Sequence, residues 1–169
     1  MQAKSVLRNI IILSVVLCNI GCDQVSKNVV RNNVATDEII SMMNNHLTVT
    51  HVENSGAFLS IGDSLSKPVK NILLSLLPLL ALSFGIVYAY TKQHLSLVPL
   101  LSLCFILGGG IGNIFDRIMY GSVTDFLHID FGIFQTGIFN MADVSITTGA
   151  IMLAVHAGYK HYKSRKEPQ

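Results

Sequence analysis

The sequence predicts an all-α polytopic membrane protein with four transmembrane helices, a small extracytoplasmic β-sheet and a surface-lying helix. Three observations predict it. Half of the 169 residues are apolar and only 13% are charged, and the mean hydropathy is +0.51; an ordinary soluble domain carries about 25% charged residues. Charges gather between long apolar runs, so segments near residues 9–30, 71–90, 95–112 and 138–159 are each long enough to cross a bilayer. Charge sign is segregated too. Lys4, Arg8, Lys92, Lys160, Lys163, Arg165 and Lys166 share their segments with one acid, Glu167, whereas the other nine acids lie between residues 23 and 143. Basic loops stay in the cytoplasm, which puts both termini there and residues 31–67 and 118–137 outside. A single integral-membrane domain over residues 1–169 follows. The short basic tail has a topological explanation, so nucleic acid is not expected as a partner.

The first span begins like a secretory signal, with Lys4 and Arg8 ahead of the apolar residues 10–18 and Asn19-Ile20-Gly21-Cys22 faintly resembling a processing site. A cleaved signal peptide is the alternative reading. Asn19 stands where a leucine is usual and three further spans follow, so a retained helix is expected. Near its far end, Asp23 and Lys27 are spaced i, i+4 and can pair on one helical face, which lowers the cost of burying either. The three cysteines, Cys18, Cys22 and Cys104, all fall in apolar runs. Their odd number and spacing suggest small packing residues rather than a disulfide framework or a zinc pattern.

In the first external segment, Thr36-Asp37-Glu38 can start a short helix within residues 32–45 that lies on the membrane surface. The alternating β-branched stretch at residues 46–53 (HLTVTHVE) reads as a strand. Asn54-Ser55-Gly56-Ala57-Phe58 is a turn-like break, followed by a short extended piece through Ile61. The strand needs a partner, and residues 126–134 (FLHIDFGIF) can supply one. Pro78 is a candidate kink in the second span. The third span ends in glycines 108, 109, 110 and 112, small enough either for close helix packing or for a substrate segment. Residues 113–117 carry the third helix to the outer surface, and Asp143 falls in the second turn of a fourth helix starting at Ile138.

Asp125 and Asp143 carry the chemistry. They are 18 positions apart, at neighbouring ends of spans three and four, where a short loop can bring them together. Two close carboxylates hold one proton between them, giving a base to activate water and an acid to protonate a leaving amine. Other readings stay open at this point. Asp125 can be an exposed loop acid, and Asp143 a structural partner of Arg117. His128 with Asp130 makes a sparse metal-ligand set, and there is no HExxH. Ser55 with Lys27 would make a Ser–Lys peptidase without a recognisable pattern. A proton-relay subunit would need acids in mid-span, and a scaffold would use its polar motifs only for packing.

The order of motifs narrows the choice. DQVSK (23–27), ENSGAF (53–58), GGGIGNIFDR (108–117), VTDF (123–126) and FNMAD (139–143) occur in succession across four spans. Together they resemble lipoprotein signal peptidase, the bacterial type II signal peptidase, over nearly the whole chain. The resemblance implies a membrane aspartyl endopeptidase in the bacterial inner membrane, its site at the outer face. Its substrates would be prolipoproteins cut just before a diacylglyceryl-modified cysteine, with membrane lipid as surroundings and neither metal nor cofactor. It implies Asp125 and Asp143 as catalytic residues, and Asn54, Gly56, Asn113, Arg117 and Asn140 as substrate-binding or supporting residues. Asp23, Lys27, Gly108, Gly109, Gly112 and Asp116 would be structural near the site, and inhibitors of the globomycin and myxovirescin type would bind. Asn113 and Asn140 can orient the aspartates through amide hydrogen bonds, and Arg117 can anchor a substrate carbonyl or a neighbouring acid such as Asp116.

Overall fold

The computed structural model describes residues 2–57 and 64–166. Among these, four helices are long and apolar enough to cross a membrane: α1 (Gln2–Asn33), α2 (Lys67–Thr91), α3 (Leu97–Met119) and α4 (Met141–Lys166). Each falls on one of the predicted spans. Phe58, at the end of the turn-like break, and the extended piece expected after it through Ile61 lie outside the described residues. A three-stranded antiparallel sheet sits at one end of the bundle, in the order β1 (Ile39–Met42), β2 (Leu47–Asn54), β3 (Val123–Ile129).

The central helix is α3. Half of its most apolar stretch is buried inside the protein, against 6% to 17% for the other three, which turn most of their apolar surface outward. One core cluster, at the end away from the sheet, joins Ile12 of α1, Ala89 of α2 and Leu100, Cys104 and Leu107 of α3. A second, of Val30, Val34 and Phe126 with Val49, Leu127 and Met141 against it, seats the sheet on α1 and on the start of α4. Cys104 packs as expected, but Cys18 and Cys22 face outward.

The glycines of α3 are filled by neighbouring helices rather than left open for a substrate. A Cβ at Gly108 would lie 2.6 Å from Asn19 Cβ of α1; at Gly109 it would collide with the Ala142 carbonyl of α4, and at Gly112 with the Asp23 carboxylate. Backbone cannot step aside as a flexible side chain can. Gly109→Ala is therefore expected to lower stability by about 1–3 kcal/mol, the usual cost of overpacking. Thermal unfolding in detergent checks it, with Gly158→Ala as control, since nothing lies near that glycine.

Three local expectations are corrected. The surface-lying helix at residues 32–45 does not form. Helix α1 runs on to Asn33, Thr36 and Asp37 lie in a turn, and Ile39–Met42 pairs with β2, Ile39 opposite Thr50 and Met42 opposite Leu47. Two isoleucines favour the strand, and Met43, Asn44 and Asn45 take left-handed φ between 51° and 68° to turn the chain back; asparagine tolerates that conformation well. The partner of β2 begins earlier than residues 126–134, at Val123. Finally, α4 starts at Met141 rather than Ile138, which moves Asp143 from the second turn to the first.

Around Pro78 the helix changes its hydrogen-bond pattern upstream of the proline. Proline lacks an N–H and crowds the carbonyl four residues back. In α2 the stretch Asn71–Leu76 is a π-helix, with Leu77 N–H bonding Ile72 O five residues behind. Such bulges concentrate at functional sites, and Leu74 and Pro78 line the cavity described next.

Candidate active site

At the sheet end of the bundle a cavity of about 250 Å³ is lined by Asp125 and Asp143 together with Asn54, Asn113, Arg117 and Leu74, among others. Asp125 arrives on β3, opposite Val52 of β2. A bulge in β2 between Val49 and Val52 breaks the regular register beside it, a device that re-aims side chains next to sites. Asp143 arrives on the first turn of α4.

Asn140 ties the two together. It caps α4 reciprocally with Asp143: Asp143 N–H donates to Asn140 Oδ1 at 3.0 Å, and Asn140 N–H donates to Asp143 Oδ2 at 3.2 Å. This is the capping-box arrangement with an aspartate in the third position. With its Oδ1 engaged, Asn140 has its Nδ2 directed to Asp125 Oδ1 at 2.6 Å. Asn54 supplies the other oxygen of Asp125 through Nδ2 at 2.9 Å, its own Oδ1 held by Gly56 N–H at 3.0 Å. Asn113 Nδ2 donates to Asp143 Oδ1 at 2.9 Å. Every oxygen of the two carboxylates thus accepts a hydrogen bond, and each asparagine is locked at both ends.

Behind Asn113 lies a buried charge network. Lys27 Nζ reaches Asp23 (2.9 Å), Asp116 (2.8 Å) and Asn113 Oδ1 (2.9 Å), with no side-chain surface exposed on Lys27, Asp23 or Asp116. The i, i+4 pair expected in α1 is present. Arg31 adds a second cation to Asp116 at 3.0 Å, Gln24 donates to Asp23 and Asp116, and Asp23 Oδ1 accepts Ala142 N–H of α4 at 2.9 Å. Gln24 and Arg31 are additions to the expected site residues. The spacing of Asp23, Lys27 and Arg31, four apart each time, is the signal in the sequence that points to Arg31; Gln24 lies off that face pattern. Because Lys27 and Arg31 take Asp116, the expected pairing of Arg117 with Asp116 does not form. Arg117 instead donates to Gly56 O (3.1 Å) and Asn113 O (3.4 Å), and its buried Nε has no partner among the described residues. Nor does Ser55 meet Lys27: its hydroxyl accepts from Lys70 at 2.8 Å.

Burial pushes the Asp125 carboxyl up to about 6 and the Asp143 charge adds to the rise, while the Asn54 and Asn140 amides and the Lys27 charge offset part of it. For Glu53, burial alone would raise the carboxyl. Hydrogen bonds from Ser122, Thr124 and His51, with the Arg31 charge, outweigh that and hold it below its usual value. The two groups act oppositely on stability. A folded-state value raised from 3.8 means that Asp125 stabilises fully below about pH 4, and that this contribution is lost as pH rises through about 6. The lowered Glu53 contributes above its ordinary range and loses that contribution as pH falls. The thermal midpoint of Asp125→Asn relative to the unsubstituted protein is therefore expected to rise between pH 4 and pH 6.5, read as the difference between parallel melts.

The family model described as signal peptidase (SPase) II matches residues 15–158. A lipoprotein signal peptidase of Clostridioides difficile (strain 630) is 32% identical over 151 residues, covering 89% of this chain and 97% of that protein. One from Streptococcus pyogenes serotype M5 (strain Manfredo) is 31% identical over 88% of this chain and 92% of its own length. A solved bacterial membrane enzyme shares the fold with a TM-score of 0.79 at 22% identity, covering 94% of this chain and 92% of that one. The family match runs through both aspartates, all three asparagines and the buried ion network. This chain belongs to the signal peptidase II family, and so to the membrane peptidases.

Proposed function

We propose that this protein is an aspartyl endopeptidase that removes the signal peptide from diacylglyceryl-modified prolipoproteins, cutting just before the lipidated cysteine. The observation that carries the reading is the pair itself. Two carboxylates from separate elements line one cavity, and asparagine amides orient each of them. In the reaction, one carboxylate takes a proton from water as the water oxygen bonds to the scissile carbonyl carbon, and the other gives its proton to the carbonyl oxygen. On collapse the C–N bond breaks, the nitrogen takes up the first proton, and a hydroxyl of the tetrahedral carbon returns the second. Arg117 Nε, unpartnered among the described residues, is a donor for a substrate carbonyl.

Charge segregation along the sequence supports cytoplasmic termini and a site at the outer face of the inner membrane. There a signal helix ends and a diacylglyceryl group is anchored in lipid. Inhibitors of the globomycin and myxovirescin type are expected to compete for the same cavity. The test is cleavage by the purified protein in lipid or detergent. Diacylglyceryl-modified precursor is expected to be cut on the N-terminal side of its cysteine, the unmodified precursor far more slowly, and excess chelator to leave the rate unchanged. Equal cleavage of both precursors would remove the lipid requirement, and a chelator-induced loss restored by zinc would remove the aspartyl mechanism.

A further inference from the structure

Lys27 sits inside the protein with all three ammonium donors used, two on the carboxylates of Asp23 and Asp116 and one on Asn113 Oδ1. The two carboxylates already neutralise it, so charge balance does not call for the third bond. That bond has a directional effect. An ammonium only donates, so it faces the oxygen of Asn113 and turns the amide's NH₂ toward Asp143 Oδ1. A donor polarised from behind by a buried cation binds an anion more strongly than an isolated amide does. The other oxygen of Asp143 accepts a backbone N–H in the first turn of a 26-residue helix, where negative charge is favoured.

Asp125 has neither advantage. Its oxygens accept from the neutral amides of Asn54 and Asn140, and it lies on a strand. The charged groups facing it are Asp143 and, at longer range, Lys27, together with Arg117, whose charge acts on Asp125 somewhat more than on Asp143 and also on Asp116.

We propose that Lys27 is a positioning residue which, through Asn113, makes Asp143 the charged member of the pair and leaves the shared proton on Asp125. Asp143 is then the base that takes the proton from water, and Asp125 the acid that protonates the carbonyl oxygen. The rise of the Asp125 carboxyl toward 6 agrees with this assignment. The inference rests on the aspartyl reading above and goes one step past it.

The experiment is the pH profile of kcat/KM on a diacylglyceryl-modified precursor, for the unsubstituted protein, Asn113→Ala, Asn54→Ala, Lys27→Met and the double variant Lys27→Met/Asn113→Ala. The acid limb reports loss of the first proton from the pair and the alkaline limb loss of the second. Removing the donor to Asp143 is expected to move the acid limb of Asn113→Ala to higher pH by about one unit, a size ordinary for one charge-assisted contact, and to leave the alkaline limb in place. Asn54→Ala is expected to move the alkaline limb upward and leave the acid limb. Lys27→Met should move the acid limb in the same sense, and the double variant no further than Asn113→Ala alone. If Lys27→Met shows no cooperative thermal transition, the two asparagine variants decide. The crossed pattern, or equal shifts of both limbs in both variants, overturns the assignment. Failure of the aspartyl reading looks different, because Asp125→Asn and Asp143→Asn would then keep their turnover.

Discussion

Asp125→Asn and Asp143→Asn are each expected to slow cleavage by roughly 10³-fold, within the range that a positioned proton-transfer group supplies. Asparagine keeps the shape and one acceptor oxygen but removes the titrating proton. At position 143 that oxygen can still accept Asn140 N–H, which keeps the cap on α4, while the new NH₂ opposes the amide donor of Asn113. At position 125 two amide donors converge, from Asn54 and Asn140, and an asparagine satisfies only one while opposing the other with its own NH₂. Each variant therefore sets one donor against a new NH₂, so the two should alter the thermal midpoint by comparable amounts, with turnover lost in both. The double variant is expected to be no slower than either single one, since a pair acting as a unit is lost with its first member. Single-turnover cleavage with thermal unfolding in parallel checks all three. Turnover within about tenfold of the parent in either single variant, far above the loss expected of a proton-transfer group, would sink the dyad.

The largest loss of stability is expected from Asp116→Ala. Asp116 has no exposed surface, pairs with Lys27 and Arg31, and accepts from Gln24. Removing one member of a buried ion network leaves uncompensated charge inside and costs about 3–5 kcal/mol. Replacing the exposed Lys92 by alanine should stay within about 0.5 kcal/mol, as surface changes away from such features do. Denaturation in detergent with both variants measures the contrast. The aspartate variants should instead lose activity with most of their stability intact, which separates the reacting pair from the frame that holds it.

Much of the architecture is legible in the sequence because lipid imposes a strong code on it. Long apolar runs and sign-segregated charge mark the four helices, and β-branched alternation marks β2. The i, i+4 pair of Asp23 and Lys27 is readable from helix geometry alone. Local patterns mislead where two structures compete for the same residues. Thr36-Asp37-Glu38 can open a helix, but pairing of Ile39–Met42 with β2 and the left-handed Asn44-Asn45 turn win in the folded chain. Hydropathy places the start of α4 too early because Ile138 and Phe139 continue the apolar run, whereas the cap is set by Asn140 and Asp143. Glycine spacing alone does not say what fills the space, so contact with Ala142 and Asp23 is out of its reach. For Asn113, the motif suggests an orienting amide, but its second bond, to Lys27, joins positions 86 apart and depends on tertiary packing.

The bond from Ala142 N–H to Asp23 Oδ1 joins the last helix to the first. A nascent chain with only its first three helices made would hold Lys27, Asp116 and Asn113 but lack Asp143, Asn140 and that closing bond. On the proposed mechanism such a chain has at most one member of the reacting pair. The site is then assembled only once α4 packs beside α1, which makes the docking of that helix the step that creates the pair.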